Sequence, residues 1–351
     1  MRPVYILTDH LAAGGIGVVV EKHAKWLTLA GYEVHLICNV EGAVPSAEWG
    51  VLSPGIMERF RMWGVSVIPA DHHSLARVLD HIEEGAATIV HASWRGRAFA
   101  RTHLFHARRL KPTYFMHSSC EYKDIKMANE LLVNLCGAPS VLTASEIVSN
   151  DIRTVSGEVK IHRLSYGVDT DVFVPPDVTD LEAKPRRVLF IGRPNKVKGG
   201  HLIPQLARHL ALHGIQIWVH GVFRKGDYSY EDVPNVHRTD GAISEVQMVK
   251  LMQTSVAVLV PSTRGEGQPL VVLEAISCGT IVIGTKDSVG GLWPGHPVII
   301  APAEASALSE TIVSILEDPF EAQRRIETGL RQIGDFTWER HVKEFAHRIG
   351  L

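Results

Sequence analysis

Val4-Tyr5-Ile6-Leu7-Thr8, then Gly14-Gly15-Ile16-Gly17, then Glu33-Val34-His35-Leu36-Ile37-Cys38: in this order the chain opens with a strand, a glycine turn and a second strand. Between the turn and the second strand, residues 16–30 repeat apolar side chains at helical spacing, and Gly31 closes the helix. Short β-branched runs on either side of such a helix predict two parallel strands joined by a crossover. Working outward, residues 65–68, 88–91, 113–116 and 140–143 read as further buried strands, with helix-like stretches between most of them. One parallel sheet with helices on both faces explains the series.

The alternation breaks at Val174-Pro175-Pro176-Asp177, and a polar stretch through Ala183-Lys184-Pro185 leads to a new strand at 188–191. This predicts a linker over 174–185 between a domain at 1–173 and a second at 186–336. In the second, a helix at 201–212, strands at 216–220 and 236–238, a helix from Glu245, a strand at 256–260, a helix through Glu274 and a strand at 281–284 follow one another. Ser244 and Gln247 have the spacing of a capping box. A last helix is expected over 337–349. The predicted fold is α/β: two doubly wound domains facing a central cleft, with ligands at the carboxyl ends of the strands.

With 351 residues and 45% apolar content, the chain has material for two cores. Its 36 Lys and Arg nearly balance 38 Asp and Glu, so the net charge points to no nucleic-acid partner. Cys38, Cys120, Cys136 and Cys278 are far apart and form no Cys-x-x-Cys pair, which argues against a disulfide framework or a thiolate zinc site. The apolar run after Met1-Arg2-Pro3 is too short for a signal peptide, and none approaches the ~20 residues of a membrane span. A cytoplasmic location is expected. Residues 56–63 mix cations with large apolar groups, which suits either a short core helix or a peripheral contact at the inner membrane face.

Three stretches carry chemistry. The glycines of Gly14-Gly15-Ile16-Gly17 let a ligand approach the backbone at a helix N-terminus, where free N–H groups favour phosphate. A dinucleotide-binding reading fits poorly, because Val20 replaces the third glycine and Cys38-Asn39 stands where an acid would hold a ribose. In Gly192-Arg193-Pro194-Asn195-Lys196-Val197-Lys198-Gly199, two cations five residues apart can meet a diphosphate, although a solvated basic turn reads the same way. The third runs from Pro261-Ser262-Thr263-Arg264-Gly265-Glu266 through Gly267-Gln268-Pro269-Leu270 to Glu274. Glu274 falls in an apolar helix, where a carboxylate needs hydrogen-bond donors; sugar or ribose hydroxyls would supply them, and so would a salt bridge.

Taken together these residues resemble the retaining glycosyltransferases of family 4, which have the GT-B fold of two Rossmann-like domains. The resemblance runs through Gly14-Gly15, the histidine of Tyr114-Phe115-Met116-His117, the segment Tyr166-Gly167-Val168-Asp169-Thr170-Asp171-Val172-Phe173, then Arg193, Lys198, Glu266 and Glu274. It implies that Gly14 and Gly15 meet the donor phosphate or sugar, and that Arg193 and Lys198 neutralise the departing diphosphate. Glu266, with the backbone around Gly267, Gln268, Pro269 and Leu270, would hold the transferred sugar, and Glu274 the nucleotide ribose. His117 would lie beside the anomeric centre. The last helix, 337–351, would rejoin the first domain, the acceptor side, leaving 186–336 for the donor. The chain departs from the pattern at Gly17 and at Tyr166, where the family often carries a polar residue and Asn.

The implied reaction moves a sugar from a nucleotide diphosphate donor, UDP by preference, to the hydroxyl of a glycan, glycolipid, metabolite or protein. Negative charge grows on the diphosphate and positive character on the sugar, and fixed cations can answer the first without a metal. No metal site and no cofactor are expected; Asp169-Thr170-Asp171 has a ligand-like spacing but lies in the glycine segment. No second carboxylate stands out as a nucleophile, which suits a front-face route. His72-His73, His103 with His106, and Arg95, Arg97 and Arg101 read as surface groups. A GT-B epimerase or phosphorylase and a non-catalytic sugar-nucleotide-binding homologue are the competing readings. Product analysis with donor alone separates the former; retention of His117, Arg193, Lys198, Glu266 and Glu274 together opposes the latter.

Overall fold

Aliphatic and β-branched runs form strands here because both faces of each sheet are covered, so every residue of Val141–Thr143, Ala257–Val260 and Ile281–Gly284 is buried. The structure, a computed structural model, describes residues 3–8, 11, 14–39, 55–70, 74–92, 107–117, 140–155, 160–177, 181, 183–241, 243–289, 291–293 and 295–351.

The chain divides into two compact units, Met1–Tyr166 with Trp338–Leu351, and Gly167–Thr337. Among the described residues the first unit has a seven-stranded parallel sheet of β1 (Pro3–Thr8), β2 (Glu33–Asn39), β3 (Ser66–Ala70), β4 (Ala87–Ala92), β5 (Thr113–Met116), β6 (Val141–Thr143) and β7 (Ile161–Arg163), in the order β3-β2-β1-β4-β5-β6-β7. The second has six parallel strands, β8 (Arg187–Ile191), β9 (Gln216–Gly221), β10 (Val236–Asp240), β11 (Ala257–Val260), β12 (Ile281–Gly284) and β13 (Ile299–Ile300), in the order β10-β9-β8-β11-β12-β13. Each order reverses direction once, between β1 and β4 and between β8 and β11. That point leaves a crevice beyond the carboxyl ends of the strands.

Local rules account for the helix ends. Gly31 takes φ 89°, and the N–H groups of Gly31 and Tyr32 return to the carbonyls of Thr28 and Leu27, closing the helix Gly15–Leu29. The Ser244 hydroxyl accepts from the Gln247 N–H while the Gln247 side chain reaches back to the Ser244 N–H, the reciprocal cap that opens Glu245–Gln253. The helix Ile56–Trp63 buries Ile56 and Phe60 and leaves Met62 exposed. The first core gathers Leu7, Ile37, Val90, Tyr114 and Val141; the second gathers Val188, Phe190, Ile217, Leu259 and Ile283.

The division of the chain differs from the expected boundaries. Residues 167–173 belong to the second unit: Val168 bridges to Thr337 and donates to the Phe336 carbonyl, and the Ser277 hydroxyl donates to the Phe173 carbonyl. Described residues of the stretch 174–185 are likewise held within that unit. Gln253 Nε2 donates to the Val174 carbonyl at 2.7 Å, Leu181 packs on the core, and Lys184 Nζ reaches the Ser255 carbonyl at 3.3 Å. Burial pushes Lys184 down to about 8.

His72, His73, Arg95, Arg97, Arg101, His103, His106, Cys120 and Cys136 lie outside the described residues. Cys38 and Cys278 are buried free thiols. Among the described residues no helix is long and apolar enough to cross a membrane.

Candidate active site

In the second unit the predicted cations lie at the β8/β11 reversal. The chain leaves β8 through Gly192, at φ 135°, and turns so that Lys198 N–H donates to Asn195 Oδ1 at 2.9 Å. This loop is laced to the one that follows β11: Thr263 N–H donates to the Val197 carbonyl and its hydroxyl to the Lys196 carbonyl, at 2.9 and 3.0 Å. Gly199, at φ 77°, lets the two backbones touch, since a Cβ there would stand 2.1 Å from the Pro261 carbonyl oxygen.

That lacing brings Lys198 and Glu266 together as an ion pair. Glu266 also accepts from the buried Ser262 hydroxyl, and its N–H donates to the Asp287 carbonyl at 2.9 Å. Arg193 does not join this pair. Its Nε binds both oxygens of Asp227, at 2.9 and 2.8 Å, leaving the terminal nitrogens to form a fork.

Gly267, the buried Gln268 and Pro269 lead into the helix Leu270–Ser277, with Pro269 in extended conformation at its N-cap. Val272 N–H turns back to the Pro269 carbonyl at 3.1 Å, and the N–H groups of Leu270 and Val271 before it have no acceptor within the helix and suit an anion. Glu274, one turn further along, is half-buried between apolar neighbours.

In the first unit Gly14 and Gly15 open the helix Gly15–Leu29 after β1, and a Cβ at either would meet nothing within 4 Å. Among the described residues no packing contact requires glycine at either position, although the φ of 158° at Gly14 itself disfavours other side chains. His117 follows β5 at the same edge of the sheet, and both its nitrogens have partners. Nε2 lies 2.8 Å from His91 Nδ1, and Nδ1 lies 2.6 Å from the Tyr166 hydroxyl. The line continues inward: His91 Nε2 is 3.2 Å from His23 Nδ1, His23 Nε2 is 2.6 Å from His341 Nε2, and His341 Nδ1 is 2.6 Å from the Ser165 carbonyl oxygen. Burial, reinforced by the neighbouring imidazoles, holds His23 and His91 well below the usual histidine range, and burial lowers His341 to about 4. Burial raises the Tyr166 phenol above its ordinary value.

The structure thus pairs Lys198 with Glu266, gives Arg193 a separate anchor, and puts Gly14, Gly15 and His117 in the other unit. Sequence reasoning missed Asp227, Ser262, His23, His91 and His341 as members of these constellations. The histidines had a faint signal: His23 and His341 lie at core spacing on their helices, and His91 ends a buried strand. Among the described residues no group of three or more His, Cys, Asp or Glu could hold a metal ion.

Two doubly wound units, each with its motifs at the sheet reversal, define a Rossmann-like two-domain protein, and comparisons narrow this class. A model described as glycosyl transferases group 1 matches residues 176–332, and one described as glycosyltransferase family 4 matches residues 13–172. Each covers just under half of the chain, and together these two glycosyltransferase family models match most of it in sequence order. Glycogen synthase of Mycobacterium tuberculosis (strain CDC 1551 / Oshkosh) is 27% identical over 217 residues, 57% of this chain and 51% of the relative. The match therefore spans about half the length of that curated relative. Among solved structures, sucrose-phosphate synthase from Thermosynechococcus elongatus has a TM-score of 0.77 at 17% identity, covering 99% of this chain and 98% of the other. Anabaena HepE in complex with UDP and glucose has a TM-score of 0.79 at 14% identity, with both chains fully covered at 100%.

Proposed function

We propose that this chain transfers a glycosyl group from a nucleotide diphosphate sugar to an acceptor hydroxyl, with retention at the anomeric carbon and without a metal ion. The observation that carries the reading is the arrangement at the β8/β11 reversal: Arg193 oriented by buried Asp227, beside a loop that holds Lys198 against Glu266. Two cations beside a helix N-terminus supply a field for a diphosphate that gains charge as the glycosyl bond breaks. Glu266 accepts from sugar hydroxyls and Glu274 from the ribose. Gly14, Gly15 and His117 serve the sugar and acceptor side. With no second carboxylate assigned as nucleophile, the departing phosphate takes the acceptor proton.

A uridine base is preferred, in keeping with the UDP-bound HepE likeness. The test is a melting screen of uridine, guanosine and adenosine diphosphates and their sugars, followed by product analysis with the stabilising donor. A donor selective for the folded state raises the melting temperature. If no nucleotide sugar shifts it and none is consumed, the reading fails.

A further inference from the structure

With all four rings neutral, as burial favours, the line from Tyr166 to Ser165 admits one arrangement of protons. A carbonyl oxygen only accepts, so His341 must carry its proton on Nδ1. A neutral imidazole has a single N–H, so His341 Nε2 accepts, and His23 must donate from its own Nε2. The same step repeats: His91 donates from Nε2 to His23 Nδ1, and His117 donates from Nε2 to His91 Nδ1. What remains at the outer end is a lone pair on His117 Nδ1, and the Tyr166 hydroxyl donates to it. Every ring nitrogen of the four histidines is then satisfied, as burial demands. An added proton on His91, His23 or His341 would set one N–H against another, and one on His117 would place an imidazolium in a buried site.

The inner end decides what such a line can do. A carbonyl cannot take up a proton, so the line does not conduct one through the domain. It is a row of aligned dipoles, with each N–H directed toward Ser165 and each lone pair toward Tyr166, and hydrogen bonds in series polarise one another. The negative end lies at His117 Nδ1 and the Tyr166 oxygen, on the carboxyl side of the sheet.

We propose that Tyr166, His91, His23 and His341 are positioning residues: they hold His117 neutral, protonated on Nε2, and turn the negative end of the row toward the glycosyl group as it gains positive charge. This rests on the reading that places His117 beside the transferred sugar. Dipoles set in advance need no reorganisation as charge develops, and an imidazolium at the same place would oppose it.

Side-chain nitrogen NMR of the histidine-labelled protein tests the arrangement directly, with His117 assigned by the signal lost in His117→Gln. The expected result is His117 neutral and protonated on Nε2 at neutral pH; protonation on Nδ1, or an imidazolium, overturns the proposal. Tyr166→Phe keeps the ring and removes the outer donor, and His341→Gln removes the ring that meets the carbonyl. Each should lower kcat roughly ten- to a hundred-fold while leaving the affinity for bare nucleoside diphosphate unchanged. Unaltered kcat in both variants, or an equal loss of diphosphate affinity, also overturns it. If the variants do not fold, the wild-type spectrum decides. A protein that transfers no sugar yet shows the Nε2 proton would sink the transferase reading and leave the proton assignment standing.

Discussion

Arg193 Nε sits 2.8 Å from Oδ2 and 2.9 Å from Oδ1 of Asp227, whose side chain is only 1% exposed. Asp227 also accepts from the Arg224 N–H at 2.9 Å, so the carboxylate is fixed before it fixes the arginine. Asp227→Asn removes the charge that holds the guanidinium in place. Charge-assisted hydrogen bonds contribute about 1.5–3 kcal/mol, so affinity for nucleoside diphosphate should fall roughly ten-fold or more. Calorimetry measures this, and unchanged affinity would show that Arg193 needs no orienting partner.

The two glutamates should separate by ligand. Glu274→Gln is expected to weaken the bare diphosphate roughly ten-fold, because its ribose partner is present there. Glu266→Gln should leave that affinity nearly intact and lower turnover with the full donor, since its partner arrives with the sugar and matters most as charge develops. Calorimetry on both variants beside initial rates decides. Equal loss of the bare diphosphate would undo the assignment.

Turnover is expected to survive exhaustive chelation, because the proposed reading assigns the diphosphate's charge to Arg193, Lys198 and the helix N-terminus at Leu270. Initial rates before and after chelation are the measurement. Abolition reversed only by added Mg²⁺ or Mn²⁺ would refute it.

The buried histidines make stability depend on pH. His341 is held down to about 4 in the fold against an ordinary 6.5. The unfolded chain therefore binds the proton first as pH falls. The stabilising contribution is complete above pH 6.5 and is lost progressively between there and about 4, by at most ~1.4 kcal/mol per pH unit for each such group. His23 and His91, lowered in the same direction, steepen the loss. Denaturant unfolding at pH 7 and pH 5 should show a smaller difference in His341→Gln than in the wild type. An identical difference would mean that these rings do not govern it.

How much was legible follows from what leaves a local mark. Both sheets could be read because buried parallel strands appear as short β-branched runs, and Gly31 and the Ser244–Gln247 pair announce helix ends by fixed offsets. Lys198 and Glu266 could be singled out because loops at strand ends expose chemistry. The Asp227 anchor and the histidine row could not, since each joins residues far apart in sequence: His23 and His341 meet across 318 positions. Burial gives such residues no pattern of their own, and a histidine on an apolar helix face looks the same whether it is linked or not. Tyr166 was visible as a departure from the family pattern and His117 as a site candidate, but their pairing was not.

The helix Trp338–Arg348 is counted with the first unit although all of the second precedes it in the chain. His341 and Phe345 on that helix stack on His23, so the first core waits for them. On the ribosome, where domains fold as they emerge, the second sheet can therefore be complete while the first still lacks one of its walls. The domain begun earliest is the one finished last.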